Sequence, residues 1–211
     1  MTAQEPSTRS TRQVWRSQEV IPADWTGCIL TMGVFDGFHR GHTELVRRTR
    51  ERATRTGLAF VLLTFDPHPL TVIRPDRAPK MLLTIDERTT LAHSLGIDVV
   101  CVIPFTEALA NITAEQFSRK VICERLRASA VIVGEDFRFG QGGRGNVGTL
   151  TQTGHRDGYE VEAVRTVEHE GQTCSSTSVR DYLRAGDRTK AEGILGRPGP
   201  WQSNPKPLGH R

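Results

Sequence analysis

The chain has 211 residues, enough for one domain with a substantial core, of which 36% are hydrophobic, and a formal net charge of +4. That modest excess suits an anionic small substrate, while the lack of any run of five Lys or Arg argues against nucleic acid as a partner. There is no apolar run of the ~18 residues a membrane span needs, no apolar signal core at the N-terminus, and no zinc spacing among Cys28, Cys101, Cys123 and Cys174, so a cytoplasmic protein with reduced thiols and no membrane contact is expected.

Residues 1–20 are rich in Ser, Thr, Arg and Gln without clear period, and most of them are expected to be disordered or loosely attached. A first strand is predicted over 27–32, followed by a glycine-rich turn and a helix over 41–55, with Leu45 and Val46 inward and arginines outward. The apolar run 58–65 reads as a strand buried on both faces. Thr84-Ile85-Asp86-Glu87 is a capping-box pattern opening a helix to about Ser94, which Gly96 stops before a strand over 99–103. Thr113-Ala114-Glu115-Gln116 opens another helix, predicted through Arg127, before a strand over 130–133. The glycine-rich 141–148 reads as a mobile loop over the site. Alternation over 160–167 predicts a fifth strand near an edge, and 176–184 and 187–195 read as short helices. Strands alternating with helices imply an α/β fold, a Rossmann-like open parallel sheet with helices on both faces. The boundaries expected are a domain over 21–197 and a disordered tail over 198–211.

In such sheets ligands bind beyond the C-terminal strand ends. Three chemistry-bearing segments begin there. Gly33-Val34-Phe35-Asp36-Gly37-Phe38-His39-Arg40-Gly41-His42 follows the first strand. Its glycines let backbone approach a ligand closely. His39 and His42 stand at a helix N-terminus, whose free N–H groups and dipole attract phosphate, and imidazole adds further donors. Asp36 reads either as a turn residue or as one that orients a neighbour or helps hold Mg²⁺. Thr64-Phe65-Asp66-Pro67-His68-Pro69 closes the second strand as a stiff loop. Val133-Gly134-Glu135-Asp136-Phe137-Arg138-Phe139-Gly140 carries two phenyl rings that suit either a wall for a planar ligand or the core, with one of the two expected in the core. Ser175-Ser176-Thr177, before a late helix, offers hydroxyls and N–H groups to an anion, and Arg180 lies about one turn further on.

These segments carry a resemblance. Residues 33–42 resemble the G-x-F-D-G-x-H-x-G-H signature of the FMN adenylyltransferase module of prokaryotic FAD synthetases, within the wider HxGH nucleotidyltransferase class. Thr64 to Pro69 resembles the family's T-F-x-P-H-P, Val133 to Gly140 its V-G-x-D/N-F-x-F-G, and Ser175 to Arg180 its S-S-T-x-x-R. All four occur in the family's order. Cys174 stands where the family commonly has an aliphatic residue, and is expected to pack.

The resemblance implies the reaction ATP + FMN → FAD + diphosphate with Mg²⁺, carried mainly by the ATP phosphates. It assigns His39, His42 and Arg180 to catalysis. Gly33, Phe35, Asp36, Gly37, Gly41, Ser175, Ser176 and Thr177 join them in binding ATP. Phe65, Asp66, Pro67, His68, Asp136, Phe137, Arg138 and Phe139 fall on the flavin side. Family members mostly continue into a riboflavin kinase module entered by G-R-P-Y and marked by G-F-P-T-A-N. Here Leu195-Gly196-Arg197-Pro198 diverges at Gly199, and no G-F-P-T-A-N occurs. Adenylyltransferase chemistry without riboflavin kinase activity is therefore expected, with FMN supplied by a separate kinase. The alternatives are another phosphorylated acceptor or flavin analogue, and a non-catalytic flavin- or nucleotide-binding paralogue.

Overall fold

The apolar runs do pair as one parallel sheet. The computed structural model describes residues 12–17 and 21–202. Its main strands are Gln13–Trp15 (β1), Cys28–Met32 (β2), Ala59–Asp66 (β3), Val99–Pro104 (β4), Ala128–Gly134 (β5) and Glu160–Val164 (β6). They lie in the order β1-β4-β3-β2-β5-β6, every pairing parallel. The last strand forms an edge, as its alternation suggests, but stops at Val164 rather than Val167.

Side chains of a strand alternate between faces, so a sheet covered on both sides needs apolar residues throughout. Leu30, Met32, Val61, Leu63, Cys101, Val131 and Val133 enter one core. Ile29, Phe60, Leu62, Val100, Val102, Ala130 and Ile132 enter the other. Over the second face lie Arg40–Thr56 (α1), which buries Leu45, Val46, Thr49 and Ala53 along one stripe, and Ile85–Ser94 (α3). Between β3 and α3 runs the short helix Pro69–Ile73 (α2). Both capping boxes form, Thr84 with Glu87 and Thr113 with Gln116.

Three local readings need correction. The helix predicted from Thr113 to Arg127 is α-helical only over Ala114–Phe117 (α5, after the short Glu107–Ala110, α4), and Ser118–Arg125 winds in wider π turns. Ser118 is buried there, its Oγ 2.6 Å from the Tyr159 hydroxyl, so the widened turns place a polar group against a partner as well as Val121 and Ile122 against the sheet. The stretch 141–148 is not one loop. Phe139 and Gly145 exchange backbone hydrogen bonds, and Asn146 caps the helix Val147–Asp157 (α6). Gly148, Gly154 and the threonines of that helix have weak helical propensity, and only Leu150, Thr153 and Gly154 are buried, which hides it from periodicity. Gly154 is required by contact: a Cβ there would sit 2.5 Å from the Tyr159 carbonyl.

The third correction concerns residues 1–20. Within them Gln13–Trp15 adds an edge strand to β4. Three residues are too few to show a period, but Trp15 is 3% exposed and meets Trp25 edge-on at 4.9 Å. The rest of that stretch, residues 1–11 and 18–20, lies outside the described residues. So does most of the expected C-terminal tail. Its described part includes the 3₁₀ turn Pro200–Gln202, with Trp201 packed on the cluster formed by Ser176–Arg184 (α7) and Arg188–Leu195 (α8). A hairpin, Glu168–His169 (β7) with Gln172–Thr173 (β8), leads into α7.

Chain direction sets the site. From β2 the chain steps outward to β3 and β4, then returns to the other side of β2 for β5 and β6. The crevice between β2 and β5 is thus the point where the winding reverses, the preferred ligand position of open α/β sheets. Truncation of the buried Trp15 tests whether the N-terminal strand belongs to the folding unit. Trp15→Ala should lower stability by about 3 kcal/mol in urea unfolding, the usual cost of emptying such a site; an unchanged midpoint would show that β1 docks without contributing.

Candidate functional site

The turn after β2 is built around positive φ angles: Gly33 at 157°, Phe35 at 53°, Gly37 at 87° and Phe38 at 45°. Phe35 and Phe38 are non-glycine residues in the left-handed region, at a cost of about 1–3 kcal/mol each, so surrounding groups must hold them there. Three carbonyls of the turn are each bonded by side chains from elsewhere. Val34 O accepts from Thr64 Oγ1 at 3.0 Å and from Arg88 Nη1 at 3.0 Å. Asp36 O accepts from Ser176 Oγ at 2.6 Å. Gly37 O accepts from Arg197 Nη2 at 2.6 Å. At Gly37 a Cβ would also come within 2.8 Å of Leu82.

Asp36 is buried, and its carboxylate is fully engaged. It accepts from the Leu82 and Leu83 amides at 3.0 and 3.1 Å and pairs with Arg180 at 2.5 Å. Those bonds show Asp36 orienting Arg180 and the 82–83 backbone. Arg180 also donates from Nε to the Lys80 carbonyl at 2.7 Å, and its side chain is only 10% exposed. The late serine segment and the glycine turn are thereby one structure.

The two histidines meet at the start of α1. His39 is the N-cap residue, and its ring stacks on that of His42 with centroids 3.7 Å apart. His42 stacks in turn on Phe35 at 4.4 Å. A Cβ on Gly41 would press on the His39 ring at 3.2 Å, so glycine is needed for this stack. Burial pulls the His39 pKa down to about 4, and burial, His39 and Arg88 pull that of His42 well below the usual value. Both are neutral at pH 7. The Nδ1 atoms of both are buried and have no hydrogen-bond partner among the described residues. The first turn of α1 contains no acidic residue, so its positive end stays uncancelled.

His68 lies at the end of β3 as the N-cap of α2, its Nδ1 accepting from the Leu70 amide at 3.1 Å. Its pKa is lowered, first by burial and then by Arg180, with Asp36 acting the other way. Phe65 is half-buried and edge-on to Phe105, while Asp66 and Pro67 are exposed. At the end of β5, Phe139 is core and packs on Phe117, whereas Phe137 is half-buried and stacked on Phe139 at 5.6 Å, which resolves which ring belongs to the core. Asp136 and Arg138 are exposed beside them. Ser175 caps α7 through the Ser178 amide, and Thr177 is exposed. Cys174 is buried and packs, as expected.

Thus the ends of β3, β2 and β5, neighbours at ~4.8 Å spacing, carry three of the motifs along one edge. The start of α7 is bonded onto the middle one. Sequence reading missed Arg88 and Arg197. Arg88 did leave a signal, because it falls on the same stripe of α3 as Ile85 and Ala92, where a charge is out of place. Arg197 left none.

Comparison with known proteins agrees with this geometry. A family model for FAD synthetase matches residues 21–178. The chain is 36% identical over 186 residues to the bifunctional riboflavin kinase/FMN adenylyltransferase of Pseudomonas fluorescens, covering 88% of this chain and 60% of that protein. With the protein of the same name from Escherichia coli (strain K12), identity is 34% over 172 residues, 82% of this chain and 55% of the relative. The chain therefore spans little more than half the length of these curated relatives. Among solved structures it resembles a chain described as a macrolide-efflux protein from Streptococcus pneumoniae, with a TM-score of 0.76 at 25% identity over 90% of this chain and 62% of that one. It also resembles pantoate-beta-alanine ligase from Francisella tularensis, with a TM-score of 0.51 at 13% identity over 87% and 86% of the two chains, a likeness of fold alone. The efflux description stays with its own protein; among the described residues no helix is long and apolar enough to cross a membrane. The family match takes in the histidine turn, the β3 and β5 ends and the start of α7, and on that span the chain belongs to the FAD synthetase family.

Proposed function

We propose that the protein transfers the adenylyl group of ATP to the phosphate of FMN, releasing diphosphate and forming FAD. The observation that carries this reading is the family match across a turn whose two buried imidazoles present unpartnered Nδ1 atoms at an uncancelled helix N-terminus. An FMN phosphate oxygen attacks the α-phosphorus of ATP, a new P–O bond forms, and the bond to the β-phosphate oxygen breaks. No protein nucleophile is required. What the reaction needs is two anions held in line and donors aimed at the charge that develops on the transferring and leaving phosphates.

His39 and His42 are the catalytic donors in this scheme. As neutral imidazoles each has one N–H to give and bears no net charge. The glycine turn (Gly33, Phe35, Asp36, Gly37, Gly41) and the N-terminus of α7 (Ser175, Ser176, Thr177) shape the ATP site. Arg180, fixed by Asp36 and the Lys80 carbonyl, directs its remaining amino group toward phosphate. Phe65, Asp66, Pro67 and His68 from β3, with Asp136, Phe137 and Arg138 from β5, flank the flavin. Phe139 supports Phe137 from the core. Mg²⁺ enters as part of the MgATP substrate, held mainly by phosphate oxygens. The reaction takes place in the cytoplasm, and a riboflavin kinase supplies the FMN.

Incubation with ATP, Mg²⁺ and either FMN or riboflavin, with chromatographic analysis of products, tests the acceptor. FAD from FMN and nothing from riboflavin is expected; FMN or FAD arising from riboflavin would refute the single-activity reading. His42→Ala should lower kcat about tenfold or more, since lost transition-state donors typically cost about 2–4 kcal/mol. A folded variant with an unchanged rate would remove His42 from the mechanism.

Neutral burial of His39 also makes stability depend on pH. In the unfolded chain the imidazole binds its proton near 6.5, in the folded protein only near 4. The associated stability is complete above pH 6.5 and is lost as pH falls toward 4, in total about 3 kcal/mol. His42 acts in the same direction. Urea midpoints of His39→Gln should therefore fall less between pH 7 and pH 4.5 than those of the wild type; parallel declines would show that His39 is not held neutral.

A further inference from the structure

We propose that Arg88 is a positioning residue for adenylyl transfer: its buried guanidinium ties the glycine turn that carries His39 and His42 to the C-terminal end of β3. The inference rests on the adenylyltransferase reading for its catalytic consequence, though not for its geometry.

Arg88 projects from the buried stripe of α3 and is 2% exposed. One amino group, Nη1, donates to three acceptors: Val34 O at 3.0 Å, Thr64 Oγ1 at 3.1 Å and Phe65 O at 3.2 Å. Val34 belongs to the turn that carries the histidines. Thr64 and Phe65 end β3 just before Asp66-Pro67-His68. A single group thus fixes the ATP side of the crevice against the flavin side. Thr64 Oγ1 donates to the same Val34 carbonyl, which closes the junction.

The placement is costly, which argues that it is not incidental. A buried charge is ordinarily paired. Arg88 bonds only to neutral oxygens among the described residues, and its Nε has no partner there. Asp36 and Asp66 favour its charged state from nearby, while burial opposes it. An arginine in protein keeps its proton, so the positive charge stays. The titratable and charged groups facing His42 are His39, from its own helix start, and Arg88, from α3; both disfavour an imidazolium. Arg88 therefore does two things. It holds the backbone that aims the histidines, and it helps keep His42 in the neutral form that can donate one N–H without a charge of its own.

The test uses Arg88→Met and Arg88→Lys in the full chain, with folding checked by circular dichroism. Steady-state rates with ATP and FMN are combined with an NMR titration of the His42 ring proton. Arg88→Met should lower kcat about tenfold or more, with a change in ATP KM of less than about threefold, and should raise the pH at which His42 titrates. Arg88→Lys keeps the charge on a shorter, single-point group. It should leave the His42 titration as in the wild type while lowering kcat a few-fold. A folded Arg88→Met with wild-type kcat and an unmoved His42 titration overturns the proposal. Should Arg88→Met fail to fold, a folded Arg88→Lys with wild-type kcat overturns it. Absence of FAD formation by the wild type would refute the activity reading instead, and the His42 titration would then judge Arg88 by itself.

Discussion

One buried ion pair organises the crevice. Asp36 and Arg180 come from opposite ends of the chain and are both shielded from water. Desolvating two charges costs several kcal/mol per ion, and the cost is offset only when the remaining hydrogen-bonding capacity is also filled. Here it is filled. The Asp36 oxygens take two backbone amides besides the guanidinium, and Arg180 gives its Nε to the Lys80 carbonyl. The glycine turn, the 80–83 segment and α7 are therefore locked as a set, and a shift in one is felt by the others. This is why a late serine-rich segment can act with a turn more than a hundred residues earlier.

The histidines gain their character from that frame. In water an imidazole near neutrality is a mixture of protonated and neutral forms. Inside the crevice, burial disfavours the charged form of both rings, and for His42 the neighbouring His39 and Arg88 act the same way. What remains is a pair of rings with unpartnered nitrogens at the positive end of a seventeen-residue helix, with no acidic residue in its first turn. Helix dipole and neutral donors add without mutual repulsion. Two imidazolium ions at 3.7 Å would oppose each other, so neutrality is the condition for having both rings at once.

Much of the fold was legible because it rests on local rules. The runs beginning at Cys28, Ala59, Val99 and Ala128 are largely apolar, as a sheet covered on both faces demands, and both capping boxes mark true helix starts. The four motifs were legible as strings, and placing three of them at strand ends needed only the logic of parallel sheets. What was not legible depends on distant partners. Trp15 forms a strand because β4 offers an edge, not because its neighbours show a period. The helix Val147–Asp157 survives its glycines because Leu150 and Thr153 reach the core and Tyr159. Arg180 read as a phosphate ligand about one turn into α7, and its bond to Asp36 emerges only once α7 is folded onto the turn. Arg88 and Arg197 both bond carbonyls of the turn, partners that the sequence does not name even where, as for Arg88, a charge on a buried stripe stands out.

Those carbonyls explain how a strained turn persists. Phe35 and Phe38 occupy a backbone region that side chains disfavour, and their rings are buried rather than free to relax. Left alone, the segment would lower its energy by rotating its peptide planes. Three of its planes are held by their oxygens: Val34 from β3 and α3, Asp36 from α7, and Gly37 from Arg197, two residues past the end of α8. Rotation of any one would break at least one of these hydrogen bonds, which opposes the relief of strain. The turn is thus held by elements drawn from almost the whole length of the domain. Its geometry, and with it the aim of His39 and His42, is a property of the assembled fold rather than of the ten residues that carry the motif.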